Sequence, residues 1–304
     1  MLSLENRAIA IAQGGNTARV MLEDVSVLVL DHAQISLTAP LLSACAEAQI
    51  VVITVGASHI PNGMLLPYLP HSRALKVMTA QLGMSAPTRK RLWQRIVQVK
   101  IRNQATVLED LRHEIEARRL RRIASEIRSG DPDNGEAQAA QVYFRGLFNP
   151  HFHRGQERFY NAALNYGYAV VRAAIARTLV SYGFLPAFGL FHHSEQNAFN
   201  LADDLIEPYR PLVDSYVLAN YPTEPDQQLA PTDKGRLVAV LHADVTLSTH
   251  SAVDARCTML AAIQAMVSGL SSIVVSEGSH EHLALPRLDT DTRPKTHRIF
   301  HVDS

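Results

Sequence analysis

The apolar residues of the first 75 positions fall into short runs, whereas those of the rest recur with helical spacing. The early runs are rich in Ile, Val and Leu, and turn signals at 14–16 and 62–63 separate them, which is typical of strands. Residues 37–49 space their apolar side chains as a helix does. The predicted strands cover 8–12, 25–30 and 50–55. The pattern therefore predicts a small β-rich domain over 1–75.

From residue 76 onward the pattern is helical. Residues 88–128 lack Gly and Pro and repeat their apolar side chains at helical spacing, so we expect two helices with a break near 103–106. A polar, Pro-rich loop is expected at 221–236, and the tail after Ser276 is expected to be irregular or disordered. The fold class is predicted to be α+β, with a larger all-α domain over 76–304. Further predicted helices cover 135–147, 156–182, 197–219 and 253–269.

The composition is that of a folded protein. Of the 304 residues, 47% are hydrophobic and 19% are charged, which supplies a sizeable core and excludes a disordered or collagen-like chain. Cys45 and Cys257 are expected to be buried free thiols in a reducing compartment. The first residues show no signal-peptide pattern, and no apolar run approaches the roughly 18 residues that span a bilayer. We therefore expect a cytoplasmic protein with no membrane partner.

The charges cancel over the whole chain but not along it. The 29 Lys and Arg balance 29 Asp and Glu, and this neutrality alone argues against a nucleic-acid partner. Between Arg73 and Arg128, however, 14 basic residues accompany 5 acidic ones, a local balance of +9 that the remaining residues offset. The densest clusters lie at 89–91 and 118–122. Two interpretations stay open, namely a solvated helical face or a cationic stripe for a phosphate backbone.

A cluster of acidic residues offers candidate chemistry. Asp203, Glu207, Arg210 and Asp214 have the spacing of one helix face, and Asp204 lies on an adjoining strip. Crowded carboxylates repel one another unless a cation lies between them, and a divalent metal completed by a neutral histidine would be such a cation. In the alternative interpretation the two aspartates favour a helix N-terminus and the glutamate pairs with the arginine.

Other motifs are weaker. Pro208 predicts a kink or a late helix start within 197–219. His151 and His153 would lie on one side of an extended segment, and His242 in a strand-like run is either a buried polar group or a ligand. The chain has no phosphate-binding glycine loop, GxSxG elbow or CxxC pair, so P-loop hydrolysis and serine or redox-cysteine chemistry are not expected.

Three stretches of the chain resemble one known family. They are HIPNGMLLPYLPHSR at 59–73, DPDNGEAQAAQVYFRGLF at 131–148, and, most specific, NAALNYGYAVVRAAIARTLVSYGFLPAFGLFHHSEQNAFNLADDLIEPYRPLVD at 161–214. The family is the universal CRISPR-associated integrase of spacer acquisition, also known as the CRISPR-associated endonuclease of the adaptation complex. The length, and HSR followed by long basic helices, are most similar to the compact variant of type II systems. The resemblance covers 59–214 at motif level and the remainder only in general texture.

The resemblance implies which residues hold a metal. Glu136 in NGEAQAA matches the first ligand of the family, His192 its histidine ligand, and Glu207 in DLIEPYR its third ligand, which is Asp in many relatives. The adjacent His193 leaves the histidine ambiguous, although the Gly-x-x-His spacing and the 15-residue step to Glu207 favour His192. The implied cofactor is Mg²⁺ or Mn²⁺, which suits two carboxylates and one imidazole with open coordination positions.

The resemblance also implies a reaction. The activity would be that of a metal-dependent DNA integrase and endonuclease, which inserts protospacer DNA into a CRISPR repeat array by attack of a DNA 3′-hydroxyl on a phosphodiester. The metal would lower the pKa of that hydroxyl and neutralise charge on the phosphoryl oxygens. Asp204 matches an accessory acidic position, and Arg210 matches a basic position near the scissile phosphate, where it would stabilise developing charge.

The partners implied by the resemblance are double-stranded DNA (protospacer and repeat), a second copy of the chain bound through the β-rich domain, and a small ferredoxin-like CRISPR-associated adaptation protein. In type II systems the RNA-guided effector nuclease is a further implied partner. The residues alone leave two other classes of function open. One is a non-catalytic helical scaffold that binds DNA, in which the acids are structural. The other is a metallohydrolase of a small molecule, which the basic helices disfavour.

Overall fold

The computed structural model describes residues 1–32, 34–56, 61–66, 73–148, 158–248, 254–276 and 278–289. Its first part is rich in strands and contains one α-helix. In chain order its elements are β1 (Leu2–Glu5), β2 (Ala8–Gln13), β3 (Asn16–Met21), β4 (Val27–Leu30), the helix α1 (Ala39–Glu47), β5 (Val51–Val55) and β6 (Pro61–Leu65). One sheet has the antiparallel order β1-β2-β3. In the other, β4 pairs parallel with β5, and β5 pairs antiparallel with β6.

Burial of one helix face holds this part together. Helix α1 crosses over between the parallel strands β4 and β5, and it buries Leu41 and Cys45 against residues of β1, β2 and β5. The hairpin between β2 and β3 turns at Gly14 and Gly15, both with positive φ, as the Gly-Gly-Asn signal predicts. The three predicted strands are confirmed as β2, β4 and β5, and the helix predicted over 37–49 is confirmed as α1.

The second part is mainly helical and ends in a small sheet. Its elements are α2 (Ala74–Leu82), α3 (Ala86–Asp110), α4 (Glu114–Glu126), α5 (Gly135–Leu147), α6 (Phe159–Ser181), α7 (Asn200–Ile206), α8 (Arg210–Asn220), α9 (Pro231–Val238), β7 (Asp244–Ser248), β8 (Ala255–Thr258), α10 (Met259–Ser276) and β9 (Leu285–Arg287). The strands form an antiparallel sheet of order β8-β7-β9. The predicted α+β class is confirmed, and this sheet adds strands to the part that was expected to be all helical.

Helix α6 lies at the centre of the molecule and is buried nearly all round. Sheet β4-β5-β6 packs on it, with Val51 and Ile53 against Ala173. The Arg177 guanidinium on the same helix donates a hydrogen bond to the main-chain oxygen of Gln49 at 2.9 Å. The predicted domain division at 75 falls beside 67–72, which are outside the described residues, and it stays a prediction.

The predicted break at 103–106 is wrong. Helix α3 runs unbroken through these positions, and the chain breaks only after Asp110, where Arg112 has φ 66°. The reason is tertiary, since the side chains of Asn103, Gln104 and Thr106 are buried instead of facing water, and Asn103 donates hydrogen bonds to the main-chain oxygens of Pro208 and Pro286. A run of polar residues therefore predicts the end of a helix only when their side chains have no partner on a neighbouring element.

Three further boundaries differ from those predicted. The expected loop at 221–236 ends early, because α9 begins at Pro231 and the Asp233 carboxylate accepts the N–H of Ala230 at 2.9 Å. The helix expected over 253–269 is preceded by β8 and extends to Ser276. The part of the tail at 278–289 is ordered as a 3-10 turn and β9, which bury Leu283 and Leu285. His151, His153 and residues 290–304 lie outside the described residues.

Helix α10 is long and apolar, although no uninterrupted apolar run of the sequence approaches about 18 residues. Over its 18 residues the mean hydropathy is 1.7, enough by length and composition to cross a membrane. Its buried residues recur every three or four positions and join the main core, in contact with α2 and α6. A core helix of a folded protein has this pattern, so the segment is weak evidence for a membrane.

Both cysteines are free thiols, as predicted, but only one of them is fully buried. Cys45 is fully buried and Cys257 is half-buried. Burial raises the pKa of each thiol, which disfavours the reactive thiolate.

Candidate active site

Glu136 lies in the first turn of α5, and Asp131 fixes that turn. The backbone N–H groups of Gly135 and Glu136 donate to the two oxygens of Asp131 at 2.8 and 2.9 Å. These N–H groups have no partner within the helix, so the carboxylate anchors the helix start. The Glu136 side chain remains 28% exposed and reaches α3.

Lys100 of α3 joins Glu136 to Glu207. Its ammonium contacts Oε1 of Glu136 and Oε2 of Glu207. The side chains of Lys100 and Glu207 are each only 8% exposed. Glu207 opens a 3-10 turn, Glu207–Tyr209, that links α7 to α8 where Pro208 predicts a kink. Two carboxylates from distant parts of the sequence therefore converge on one cation.

Arg210 holds the other oxygen of the same carboxylate. Its Nε lies 2.9 Å from Oε1 of Glu207, and its guanidinium carbon lies 4.9 Å from the centre of the Tyr168 ring. The Tyr168 hydroxyl contacts the buried Asp214, which also accepts a hydrogen bond from the Tyr143 hydroxyl at 2.8 Å. This buried network fixes the aromatic surface on which Arg210 rests.

Asp204 organises the loop that carries His192. Its fully buried carboxylate accepts the backbone N–H groups of Leu190, Phe191 and His192 at 2.5, 3.0 and 3.1 Å, and it lies 2.6 Å from Nδ1 of His192. This contact leaves Nε2 as the nitrogen for a ligand, an arrangement typical of metal-binding histidines. Nδ1 of His193 instead lies 2.6 Å from the main-chain oxygen of Phe191. The structure thus places His192, and not its neighbour, against Asp204.

The His192 loop is also tightly packed. A Cβ on Gly189 would lie 2.3 Å from the main-chain oxygen of His192 and 2.7 Å from Oδ2 of Asp204, so the turn requires glycine. The Phe191 ring stacks on Trp93 of α3, with centroids 4.4 Å apart and planes within 1°. Helix α3 therefore supports the histidine loop as well as supplying Lys100.

The acidic residues predicted to crowd on one face point to different partners. Asp203 pairs with Arg172 at 2.5 Å, Asp204 binds the histidine loop, and Asp214 binds two tyrosines. In the part of the chain that the structure describes, no three His, Cys, Asp or Glu side chains converge closely enough to hold a metal as they stand. The expectation of crowded carboxylates on this segment is therefore wrong. The cation that two carboxylates share is the Lys100 ammonium, which lies between Glu207 and Glu136.

The electrostatics follow from burial opposed by ion pairing. Burial raises the pKa of Glu207, but the charges of Lys100 and Arg210 outweigh it, so that pKa lies below its usual value. Burial likewise lowers the pKa of Lys100, and the two glutamates more than restore it. The hydrogen bond to Asp204 raises the pKa of His192, and burial only partly offsets this.

The residue types of this donor set are those that a divalent cation prefers, although the described side chains do not converge on one point as they stand. Two carboxylates already share a single positive charge, and His192 is close enough to Glu207 for each to shift the pKa of the other. An oxygen-rich set with one imidazole suits Mg²⁺ or Mn²⁺. An ion here would compete with Lys100 for the same oxygens.

Sequence reasoning missed Lys100, which it counted only among the basic residues of the +9 segment. A signal was available, because Lys100 follows Ile96 by four positions and therefore lies on the buried face of α3. A lysine on an apolar helix face needs a buried partner.

The basic segment forms an exposed helix face and a cleft. Arg118, Arg119 and Arg122 are exposed on α4, whereas Arg121 is held by Glu109 at 2.5 and 2.6 Å. A cleft of about 640 Å³ lies between α3, α4 and β9. Its basic lining residues are Arg95, Arg102, Arg121 and Arg287.

Comparisons with known proteins agree with this architecture. The family profile described as "CRISPR associated protein Cas1" matches residues 1–224. The chain is 45% identical to the CRISPR-associated endonuclease Cas1 of Neisseria meningitidis serogroup C (strain 8013), over 94% of this chain and 93% of the relative. Among solved structures, a casposase bound to integration product matches with a TM-score of 0.72 and 18% identity, over 100% of this chain and 94% of that one. A Cas6-RT-Cas1–Cas2 complex matches with a TM-score of 0.70 and 18% identity, over 95% of this chain and 35% of that one.

At 18% identity the structural likeness concerns the fold alone. The profile covers well over half of the chain, and the Neisseria relative is aligned over nearly its whole length. This α+β chain, with its strand-rich first part and its acidic site in the helical part, is therefore a CRISPR-associated protein. The chain belongs to the Cas1 family.

Proposed function

We propose that this chain is a metal-dependent DNA integrase and endonuclease of CRISPR adaptation, which inserts protospacer DNA into a repeat array by attack of a 3′-hydroxyl on a phosphodiester. The observation that carries the proposal is the convergence of Glu136 and Glu207 on one cation, next to His192 and Arg210, in a member of the Cas1 family. The name of the Neisseria relative supports it, since that protein is an endonuclease, and the fold is shared with a casposase bound to integration product.

The proposed roles follow from the geometry. Glu136, Glu207 and Nε2 of His192 would hold Mg²⁺ or Mn²⁺, which would supply a lowered pKa for the attacking hydroxyl and positive charge beside the phosphoryl oxygens. Arg210 would donate its free N–H groups to a phosphate oxygen while Glu207 holds its Nε. Asp204 orients the imidazole and is an accessory residue that does not reach the substrate.

The proposed DNA-binding surface is the basic face of α4 together with the cleft beside α3. Nε of Arg95, at the cleft, is buried without a hydrogen-bond partner among the described residues, so an anion there would satisfy it. We expect the contacts to reach phosphates more than base edges, with little sequence readout.

We further propose that the chain acts in the cytoplasm as a homodimer built through its strand-rich part, with a small ferredoxin-like adaptation partner and, in a type II system, the effector nuclease. The match to a Cas1–Cas2 complex supports the partner. β3 supports the dimer, because it lies at the edge of its sheet and Met21 on it is 41% exposed.

A second candidate is a non-catalytic helical scaffold that binds DNA. The observation that favours it is that Lys100 and Arg210 neutralise Glu207, while Arg172 neutralises Asp203, so these acids are already paired without a metal. In that case the ion pairs would be purely structural.

Half-site integration of a labelled protospacer into a repeat-containing plasmid separates the two candidates. We expect activity with Mg²⁺ or Mn²⁺, none with EDTA, and a loss of at least about 100-fold in Glu136→Gln, Glu207→Gln or His192→Ala, because even residues that only support a metal ligand cost 10–100-fold when removed. Glutamine keeps the size of the side chain. DNA binding should be largely retained.

Glu195→Gln is the matched control, since this exposed glutamate lies in the same loop as His192. Adding or omitting the adaptation partner tests its role, and sedimentation of the same samples gives the mass of the assembly. Full activity in Glu207→Gln, or activity that survives EDTA, would refute the metal mechanism.

A further inference from the structure

Lys100 occupies the point where the two predicted metal-ligating carboxylates face each other. Arg210 takes Oε1 of Glu207, so Oε2 is the oxygen that faces Glu136, and this oxygen contacts the Lys100 ammonium. The same ammonium contacts Oε1 of Glu136. The two oxygens that a shared divalent ion would need are therefore those that Lys100 holds.

The position of Lys100 is determined by its helix. The next residue, Ile101, is fully buried, and three positions on Asn103 binds the main-chain oxygens of Pro208 and Pro286. These contacts fix the axial position of α3 against the turn that carries Glu207. Lys100 is thus presented to the carboxylates by a rigid element.

A lysine and a divalent ion cannot both hold these oxygens. With the ammonium in place, an arriving ion meets a like charge at contact distance in a site that little water reaches, which is strongly unfavourable. Without either cation, two carboxylates would repel each other in a largely buried site, which is also unfavourable. One cation is needed, and Lys100 is present before any metal arrives.

We propose that Lys100 is a positioning residue that holds Glu136 and Glu207 together in the metal-free protein and gives up these contacts when a divalent ion binds, so that it weakens the affinity of the site for that ion. This inference rests on the proposed function, because it takes the two glutamates to be metal ligands. It predicts opposite effects of one substitution: removal of Lys100 destabilises the metal-free protein but strengthens metal binding.

The test compares Lys100→Met with Lys234→Met. Lys234 is a matched control, because its side chain is 7% exposed and its ammonium pairs with Asp31 at 2.6 Å. Isothermal titration with Mn²⁺ gives the Kd, and thermal unfolding in EDTA and in Mn²⁺ gives the Tm. Lys100→Gln serves as a second variant, since glutamine can hydrogen-bond the carboxylates without the charge.

We expect both methionine variants to lower the Tm in EDTA. Only the Lys100 variants should bind Mn²⁺ more tightly, by at least about tenfold, because a like charge next to the ion has been removed. Their Tm should also rise more on addition of Mn²⁺ than that of the wild type. Lys234→Met should leave the Kd unchanged within about twofold, as for distant independent sites.

Two results would overturn the inference, and they differ in whether the proposed metal-dependent function also fails. If the wild type binds Mn²⁺ and the Lys100 variants bind it no more tightly, Lys100 is only a structural partner and the proposed metal site stands. If none of the proteins binds Mn²⁺, the inference and the metal-dependent mechanism both fall.

Discussion

At the scale of single residues, His192 and Asp204 show how one buried carboxylate sets both geometry and charge. Asp204 accepts three backbone N–H groups and the imidazole, so it fixes the loop and raises the pKa of His192 together. A metal ligand must be a neutral imidazole, so protons and metal compete for His192. The pair therefore makes stability and metal binding depend on pH in opposite directions.

The pH dependence of stability tests this pair. In EDTA, the free energy of unfolding of the wild type should exceed that of His192→Gln by the largest margin below pH 6.5, the ordinary pKa of histidine. Because the folded-state pKa is raised, the pH-dependent part of the margin is lost as pH rises through that pKa. We expect it to stay below about 1 kcal/mol, since the His192 side chain is 43% exposed and water screens the pair.

Urea unfolding at a series of pH values measures this margin. The control is the same comparison made in an Asp204→Asn background, where the pH dependence should be smaller because the largest cause of the raised His192 pKa is gone, while Glu207 and Asp203 remain. A margin that grows with pH in the wild-type background would contradict the assignment.

At the scale of elements, α3 assembles the site. It supplies Trp93 beneath the histidine loop, Lys100 between the carboxylates, and Asn103 against the turn after Glu207. All three lie on its buried face. The position of α3 along its axis therefore sets the distance between Glu136 and Glu207.

Asn103→Ala tests this role of α3. Its buried amide donates to the main-chain oxygens of Pro208 and Pro286 at 2.9 and 3.0 Å and accepts the N–H of Leu288 at 3.1 Å. Its loss leaves buried backbone groups unpaired, so we expect unfolding to require about 2–4 kcal/mol less free energy. Urea denaturation measures the change. Asn220→Ala is the control, because among the described residues the Asn220 side chain bonds only within its own helix, to the main-chain oxygen of Tyr216 at 2.9 Å. A similar loss in both variants would contradict the argument.

Asn103 also shows why some elements could be predicted from the sequence and others could not. Strands β2, β4 and β5 and helix α1 were found because their burial follows from local apolar spacing. The continuity of α3 depends on residues that accept or donate hydrogen bonds more than 100 positions away, such as Pro208 and Leu288. Strand β9 likewise owes its order to pairing with β7, which local sequence does not encode.

At the scale of the whole molecule, the candidate site joins parts of the chain that the sequence does not show to be neighbours. Glu136, His192 and Glu207 came from family motifs, and spacing alone had indicated only Glu207 and its acidic neighbours. Those neighbours bind other partners, because packing of α6 and of the histidine loop decides where each carboxylate points. Lys100 became visible only once α3, α5 and the turn at Glu207 were brought together.

The segregation of charge makes a final prediction about the whole molecule. Arg118 and Arg122 are four positions apart on the exposed face of α4, and their carboxylate or carbonyl contacts are within α4 itself. If this face binds phosphates, the double variant Arg118→Gln/Arg122→Gln should bind any DNA sequence more weakly. The slope of log Kobs against log salt should fall by about 0.9 for each phosphate that the variant no longer neutralises. The control is Arg236→Gln/Arg256→Gln, which removes the same charge from exposed positions outside both the basic segment and the strand-rich part. Fluorescence anisotropy at several salt concentrations measures the DNA affinity of both variants, with sedimentation to check that the mass is unchanged.

An equal weakening of DNA binding in the two variants would mean that only net charge matters. A weakening confined to the α4 variant would show that a chain with zero net charge binds DNA through a local basic surface. The acidic residues elsewhere in the chain would not cancel this surface, because salt largely screens charges that are more than about 10 Å apart.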